Sequence, residues 1–153
     1  MASEARLATS RFDPGEELRR FAAAHADAGG VVSFLGQVRT CEGEEPVLAL
    51  ELTEYPALTL PGIRALLAEA EERWSLAGLL ALHRIGVLEP GEAIVFVAAA
   101  ARHRRDAFDA ADFVMDHLKS QAWLWKRERT TQGWRWIEPR PQDHADRARW
   151  QRA

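Results

Sequence analysis

The sequence predicts a mixed α+β domain, and three observations carry that prediction. Segments with apolar residues at helical spacing alternate with pairs of segments that read as strands. One of those strands, residues 93–101, is an unbroken apolar run, as a central strand covered on both faces requires. The 153 residues are 47% hydrophobic and 28% charged, which suits a single globular domain that can bury a core of its own.

The elements follow in the order β-α-β-β-α-β-β-α-β-β. Asp13-Pro14-Gly15-Glu16 reads as a helix start: Asp13 caps, Pro14 suits the first helical position, and Glu16 sits where a capping box places its carboxylate. Leu18, Phe21 and Ala22 give that helix its apolar face, and Gly29-Gly30 breaks the chain after it. Residues 31–39 alternate, with Val32, Phe34 and Val38 on one side and Ser33, Gln37 and Arg39 on the other, a half-buried strand that ends in a cation. Residues 41–46 are a polar loop, and 47–55 a second strand stopped by Pro56. Thr59 and Pro61 open a second helix, with Ile63, Leu66, Leu67, Ala70 and Trp74 at helical spacing. Residues 79–87 read as one strand, Glu89-Pro90-Gly91-Glu92 as a turn, and 93–101 as the buried strand. The third helix, 104–122, has Phe108, Ala111, Met115 and Leu118 along its apolar stripe. Residues 123–129 and 134–138 form a Trp-rich hairpin about Thr131-Gln132-Gly133. Residues 139–153 are polar apart from Trp150, and read as a C-terminal tail or short helix of the same single domain, 1–153.

Composition removes several classes of function. No apolar run reaches the ~18 residues of a membrane span, and the first residues, MASEARLATSRF, have no apolar core of a secretory signal. The single cysteine, Cys41, excludes an intramolecular disulfide or a cysteine-based zinc site, so a reducing cytoplasm is expected. The five histidines show no metal spacing, and no Gly-rich phosphate loop is present, so no metal and no cofactor are expected. Cys41 lies among Glu42, Glu44 and Glu45, which disfavour a thiolate. Charge is uneven: residues 1–100 carry a net −7 and residues 101–153 a net +4, which suggests that the last third meets an anion. Net acidity and the lack of a long basic stripe argue against nucleic acid.

Four basic groups stand out by their placement. Arg39 ends a strand that also carries Gly36. Arg102-His103-Arg104-Arg105 lies at the junction of the buried strand and the third helix, where backbone N–H groups favour an anion; a solvated basic turn is the plainer alternative. Lys119, four residues after Met115, borders the apolar stripe, either as a snorkelling side chain or as a partly desolvated base. Lys126 falls on the strand face opposite the tryptophans, where a polar strand face is the simpler reading.

Several motifs in order resemble one family. These are Phe34-x-Gly36-x-Val38-Arg39, Tyr55-Pro56, His83-Arg84-Ile85-Gly86-x-Leu88-x-Pro90-Gly91-Glu92, His103-Arg104, Met115-Asp116-x-Leu118-Lys119 and Trp125-Lys126-Arg127-Glu128. Together they are similar to the large, catalytic subunit of molybdopterin synthase, from about residue 30 to 150. Two positions depart from it: Trp123 stands where the family usually has proline, and Thr53 where it has glutamate. The resemblance implies an α/β hammerhead-type fold with an additional antiparallel β subdomain. It implies a cytoplasmic sulfurtransferase that builds the dithiolene of the molybdenum cofactor on a cyclic pyranopterin monophosphate. The sulfur would come from the C-terminal Gly-Gly thiocarboxylate of a small ubiquitin-like partner, and two large subunits would form a central homodimer within a heterotetramer. Carried over position by position, the catalytic lysines are Lys119 and Lys126. The anion-binding groups are Arg39, His103 and Arg104; Arg140 resembles an arginine contributed across the dimer, and Phe34 and Met115 resemble pocket walls. A non-catalytic adaptor that only docks a Gly-Gly tail is the alternative. It would keep the apolar pocket and Arg39, whereas the enzyme needs both lysines and the phosphate-binding groups together.

Overall fold

The computed structural model describes residues 2–120 and 123–151, so the end of the expected third helix, 121–122, lies outside the described residues. In chain order the elements are β1 (Ala2–Ala8), α1 (Pro14–Ala24), β2 (Gly30–Gln37), β3 (Cys41–Glu42), β4 (Glu45–Pro46), β5 (Ala49–Glu54), α2 (Thr59–Arg73), β6 (Gly78–Arg84), β7 (Gly86–Leu88), β8 (Ala93–Ala101), α3 (Arg104–Ser120), β9 (Leu124–Thr130), β10 (Gly133–Ile137) and α4 (Pro141–Ala148). A short 3-10 turn, Arg149–Gln151, follows.

The apolar run lies inside a four-stranded sheet of order β1-β6-β8-β2, in which β1 pairs parallel to β6 and the other pairs are antiparallel. Period two divides β6 and β8 between two cores. Leu79, Ala81, Val95, Val97, Ala99 and Ala101 meet the apolar faces of α2 and α3. Leu80, Leu82, Phe96, Ala98 and Ala100 meet Phe21 of α1 and Ala28. A second, antiparallel sheet, β10-β9-β5-β7, has its own small core of Val38, Val47, Leu50, Leu52 and Leu88, and Ile94 of β8 joins the two. A mixed α+β fold with an added antiparallel sheet is therefore what the chain forms.

Three local expectations are corrected, and one open choice is decided. The region expected as one strand over 79–87 is two strands in different sheets. Gly86, at φ 98°, makes a corner that a side chain would strain. Arg84 holds that corner: buried with Glu92, it donates to the carboxylate at 2.9 Å and to the carbonyls of Ala8 and Ile85. Glu16 does not close a capping box. Asp13 caps α1 by accepting from Gly15 and Glu16, while the Glu16 carboxylate accepts from Arg19 and Arg20, whose guanidiniums compete for it. Phe108 is half exposed rather than part of the α3 stripe, which runs instead through Ala107, Ala110, Ala111, Val114, Met115 and Leu118. Of the two readings of the C-terminal segment, tail or short helix, the chain forms the helix. Its helix docks on α3, where Arg149 reaches Asp112 and Asp116 at 2.6 and 2.7 Å and Trp150 Nε1 donates to Asp116 at 2.7 Å.

Candidate active site

A cavity of about 1070 Å³ opens at the seam between the two sheets. Its floor is apolar and buried: Val38 just after β2, Leu50, Leu52 and Val95 from the strands, Met115 and Leu118 from α3. Trp125 and Trp136, more than half exposed and packed edge to face with ring centres 6.0 Å apart, stand at its rim. Cations enter from separate parts of the chain: Arg39 after β2, Lys119 from α3, Lys126 from β9, Arg135 from β10 and Arg140 before α4.

Local structure explains each placement. Lys119 lies one helical turn beyond Met115, so both look toward the same wall. Lys126 pairs with Leu52 of β5 and Ile137 of β10, which puts it on the inward side of the sheet while Trp125 faces out. The junction before β9 accommodates Trp123. Its ring lies against Gly62, where an added Cβ would come within 2.5 Å, and its carbonyl accepts the Thr59 hydroxyl.

The two lysines are the only lysines in the chain, and among the described residues neither makes a salt bridge or a side-chain hydrogen bond. Lys119 is exposed to the open cavity it lines, yet the surrounding walls partly desolvate it. That desolvation, with the charges of Arg39 and Arg140 against the opposing pull of Asp143, holds its pKa below the ordinary lysine value. Burial and the charge of Lys119 bring Lys126 down to about 8. His83, on the cavity floor, donates Nδ1–H to the Arg84 carbonyl at 2.8 Å; burial and the charge of Lys126 keep it neutral, with a pKa pushed down to about 3. The other cations are paired: Arg39 with Glu42 at 3.3 Å, Arg135 with Glu128 at 2.6 Å, and Arg140 with Asp143 at 3.1 Å. An anion with an apolar ring system suits such a site, and two lysines held below their ordinary pKa give up protons more readily than free ones.

The cavity thus gathers Arg39, Met115, Lys119, Lys126 and Arg140; Arg140, expected from across a dimer, lines the cavity of its own chain because it directly precedes the docked α4. It does not gather Phe34, His103 or Arg104. Phe34 is exposed on β2, an edge strand, and His103 and Arg104 are exposed where β8 leads into α3. The register pairs Gly30 with Ala101 and Gln37 with Ala93, so His103 and Arg39 lie at opposite ends of the β2–β8 pair. At ~3.3 Å per residue the ends of that strand are roughly 25 Å apart. Sequence reasoning missed His83, Glu128 with Arg135, and Asp143. The Arg140-x-x-Asp143 spacing carried a signal, since a carboxylate three residues after a helix cap commonly bonds back to it.

The family model described as MoaE protein matches residues 7–121. The chain is 47% identical over 146 residues to the molybdopterin synthase catalytic subunit of Pseudomonas aeruginosa, covering 95% of this chain and 97% of that one. The chain belongs to the molybdopterin synthase catalytic-subunit family. The members of this family are sulfur-transferring enzymes of molybdenum cofactor biosynthesis. The family's Caulobacter vibrioides member is 44% identical over 144 residues, covering 94% of this chain and 95% of that protein. Among solved structures, the molybdopterin biosynthesis MoaE protein of Burkholderia ambifaria superposes with a TM-score of 0.82 at 39% identity over the whole of both chains. Molybdopterin synthase of Staphylococcus aureus superposes with a TM-score of 0.77 at 26% identity, over 86% of this chain and 94% of that one.

Proposed function

We propose that this chain is the catalytic subunit of a molybdopterin synthase. It moves sulfur from the C-terminal thiocarboxylate of a small ubiquitin-like partner to cyclic pyranopterin monophosphate, in the cytoplasm. The observation that carries this reading is the pair of unpaired lysines facing one apolar cavity ringed by arginines. Sulfur arrives on the partner's tail, so the cavity needs proton-transfer groups and anion-binding groups but no thiol. Lys119 and Lys126 are the catalytic residues. Arg39 and Arg140 hold the anionic end of the substrate, and Met115 is the apolar wall. No helix of the described residues is long and apolar enough to cross a membrane.

His103, Arg104 and Phe34 enter through a second copy of the chain. β2 is an unpaired edge that exposes Val31, Phe34 and Leu35, and bare apolar edges invite pairing. A two-fold pairing of two β2 edges is antiparallel. It brings His103 and Arg104 of one copy toward the Arg39 end, and so the cavity, of the other. The deciding experiment is a product assay: the chain, a thiocarboxylated small partner and the cyclic precursor should yield the dithiolene pterin. Partner binding with no dithiolene formed would leave only the adaptor role.

A further inference from the structure

We propose that Asp143 is a positioning residue of this cavity: its carboxylate fixes the Arg140 guanidinium at the wall and serves as the shared counter-ion of the Lys119 and Lys126 ammonium groups. The proposal rests on the reading that these lysines act on substrate, and it adds a residue that reading does not contain.

The geometry singles out Asp143 among the carboxylates of the cavity. Glu42 is committed to Arg39, and Glu128 to Arg135. Glu138 is exposed at the rim. Asp143 is mostly shielded from solvent and grips Arg140 twice, accepting the backbone N–H at 2.8 Å and Nη2 at 3.1 Å. It lines the same cavity as both lysines, beyond salt-bridge distance of either, and its charge favours the ammonium form of each. Burial alone would raise the Asp143 carboxyl; the hydrogen bonds from Arg140 and the charges of Arg140 and Lys119 outweigh it and hold the group ionised. The remaining titratable neighbours do not replace it. His83 on β6 is neutral, and His144 on α4 is exposed.

The position of α4 makes this arrangement rigid. Arg149 and Trp150 tie the segment to Asp112 and Asp116 of α3, the helix that carries Lys119. The Trp150 ring meets those of Trp74 and Phe113 edge to face at 5.6 and 5.5 Å. Asp143 and Lys119 therefore sit on two helices clamped together, and the counter-ion keeps its place when the cavity is empty. An arriving substrate anion competes with Asp143 for Arg140. As Arg140 turns to the substrate, the carboxylate is left to the lysines.

The chain has only two lysines, so protein labelled with ¹³C at lysine gives two side-chain signals that report their titration directly, without substrate or partner. In Asp143→Asn both midpoints should fall, because the charged ammonium groups lose their counter-ion. The precursor KM should rise roughly 3–10-fold as Arg140 loses its anchor. Asp143→Glu should restore the midpoints at least in part. Asp146→Asn, which removes a carboxylate of the same helix that bonds Gln142, should leave them in place. Arg140→Gln is the second arm, should Asp143→Asn fail to fold: with the repelling guanidinium gone and Asp143 released, the Lys119 midpoint should rise. Unchanged midpoints in folded Asp143→Asn, or in Arg140→Gln, would overturn the proposal. These titrations need no turnover. An active Lys119→Ala variant would sink the catalytic reading while leaving the titration measurement intact, so the two failures are distinguishable.

Discussion

Lys119 and Lys126 are ordinary residues in an unusual setting. The chain meets nearly all its need for positive charge with arginine, which stays protonated in any protein environment. Lysine appears only where desolvation can bring its pKa toward neutrality. That predicts unequal tolerance to substitution. Lys119→Ala should lower turnover by about 10²–10⁴, the usual worth of a general acid or base, with fold and partner docking intact by gel filtration. Lys119→Arg keeps the charge but cannot readily release a proton, so it should be nearly as inactive in the dithiolene assay. Lys126 carries a stability consequence whose sign follows from its depressed pKa. Between about pH 8 and the ordinary value of 10.5 the unfolded chain binds more protons at this residue than the folded chain. Stability should therefore rise with pH across that window, and below it the charged lysine is a standing cost. Lys126→Met should stabilise the chain at pH 7 by on the order of 1–2 kcal/mol, while abolishing most turnover. Urea denaturation at pH 7 and pH 10.5 checks this, the gain being largest at pH 7.

At the scale of elements, α4 and α3 act as one unit. Asp116 accepts from Arg149 and from Trp150, and with Asp112 it holds residues 149–150 against the helix that carries Lys119. Asp116→Ala should cost about 1–2 kcal/mol from the lost charge-assisted bonds. It should also release α4, seen as faster amide exchange over residues 141–151 with little change in β6 and β8. Because α4 carries Asp143 and follows Arg140, the precursor KM should rise more than kcat falls. The corner between β6 and β7 works by a different device. The buried Arg84–Glu92 pair, with Gly86 free to take a positive φ, turns the chain from one sheet into the other. The His83-to-Glu92 stretch, which reads as a family signature, is thus explained largely by the need to build this corner.

For the whole molecule, the separation of His103 and Arg104 from the cavity is the consequential fact. If a second copy supplies them across the β2 edge, two defective chains should repair each other. In a mixed dimer of Lys119→Ala with Arg104→Ala, one cavity carries both defects and the other carries neither. Statistical mixing should then restore about one quarter of normal activity. Mixing that leaves activity at the level of the separate variants would place Arg104 outside the partner's cavity.

The sequence by itself determined much of this arrangement. Helical and period-two spacing located α1, α2, α3, β2 and the Trp-rich hairpin, the stop at Pro56 located β5, and an unbroken apolar run located β8, because each buries one face or both and the sequence records that burial. Ordered motifs pointed to Lys119, Lys126, Arg39 and Met115, which share the cavity, together with Phe34, His103 and Arg104, which do not line it, and the resemblance gave Arg140 as a residue from across a dimer. What the sequence did not determine depends on contacts between distant segments. β1 was expected only as a place in the order, with no bounds, because its seven residues carry too little apolar pattern and become a strand only beside β6. The break at Gly86 is fixed by an ion pair eight residues long in sequence and by the switch between sheets. The tail became a helix because Asp112 and Asp116 receive its basic end, and Asp143 entered the cavity with it. Which cations share a cavity was likewise decided by tertiary structure. A strand places Arg39 and the β8–α3 junction at opposite ends, and no local pattern of residues encodes that distance.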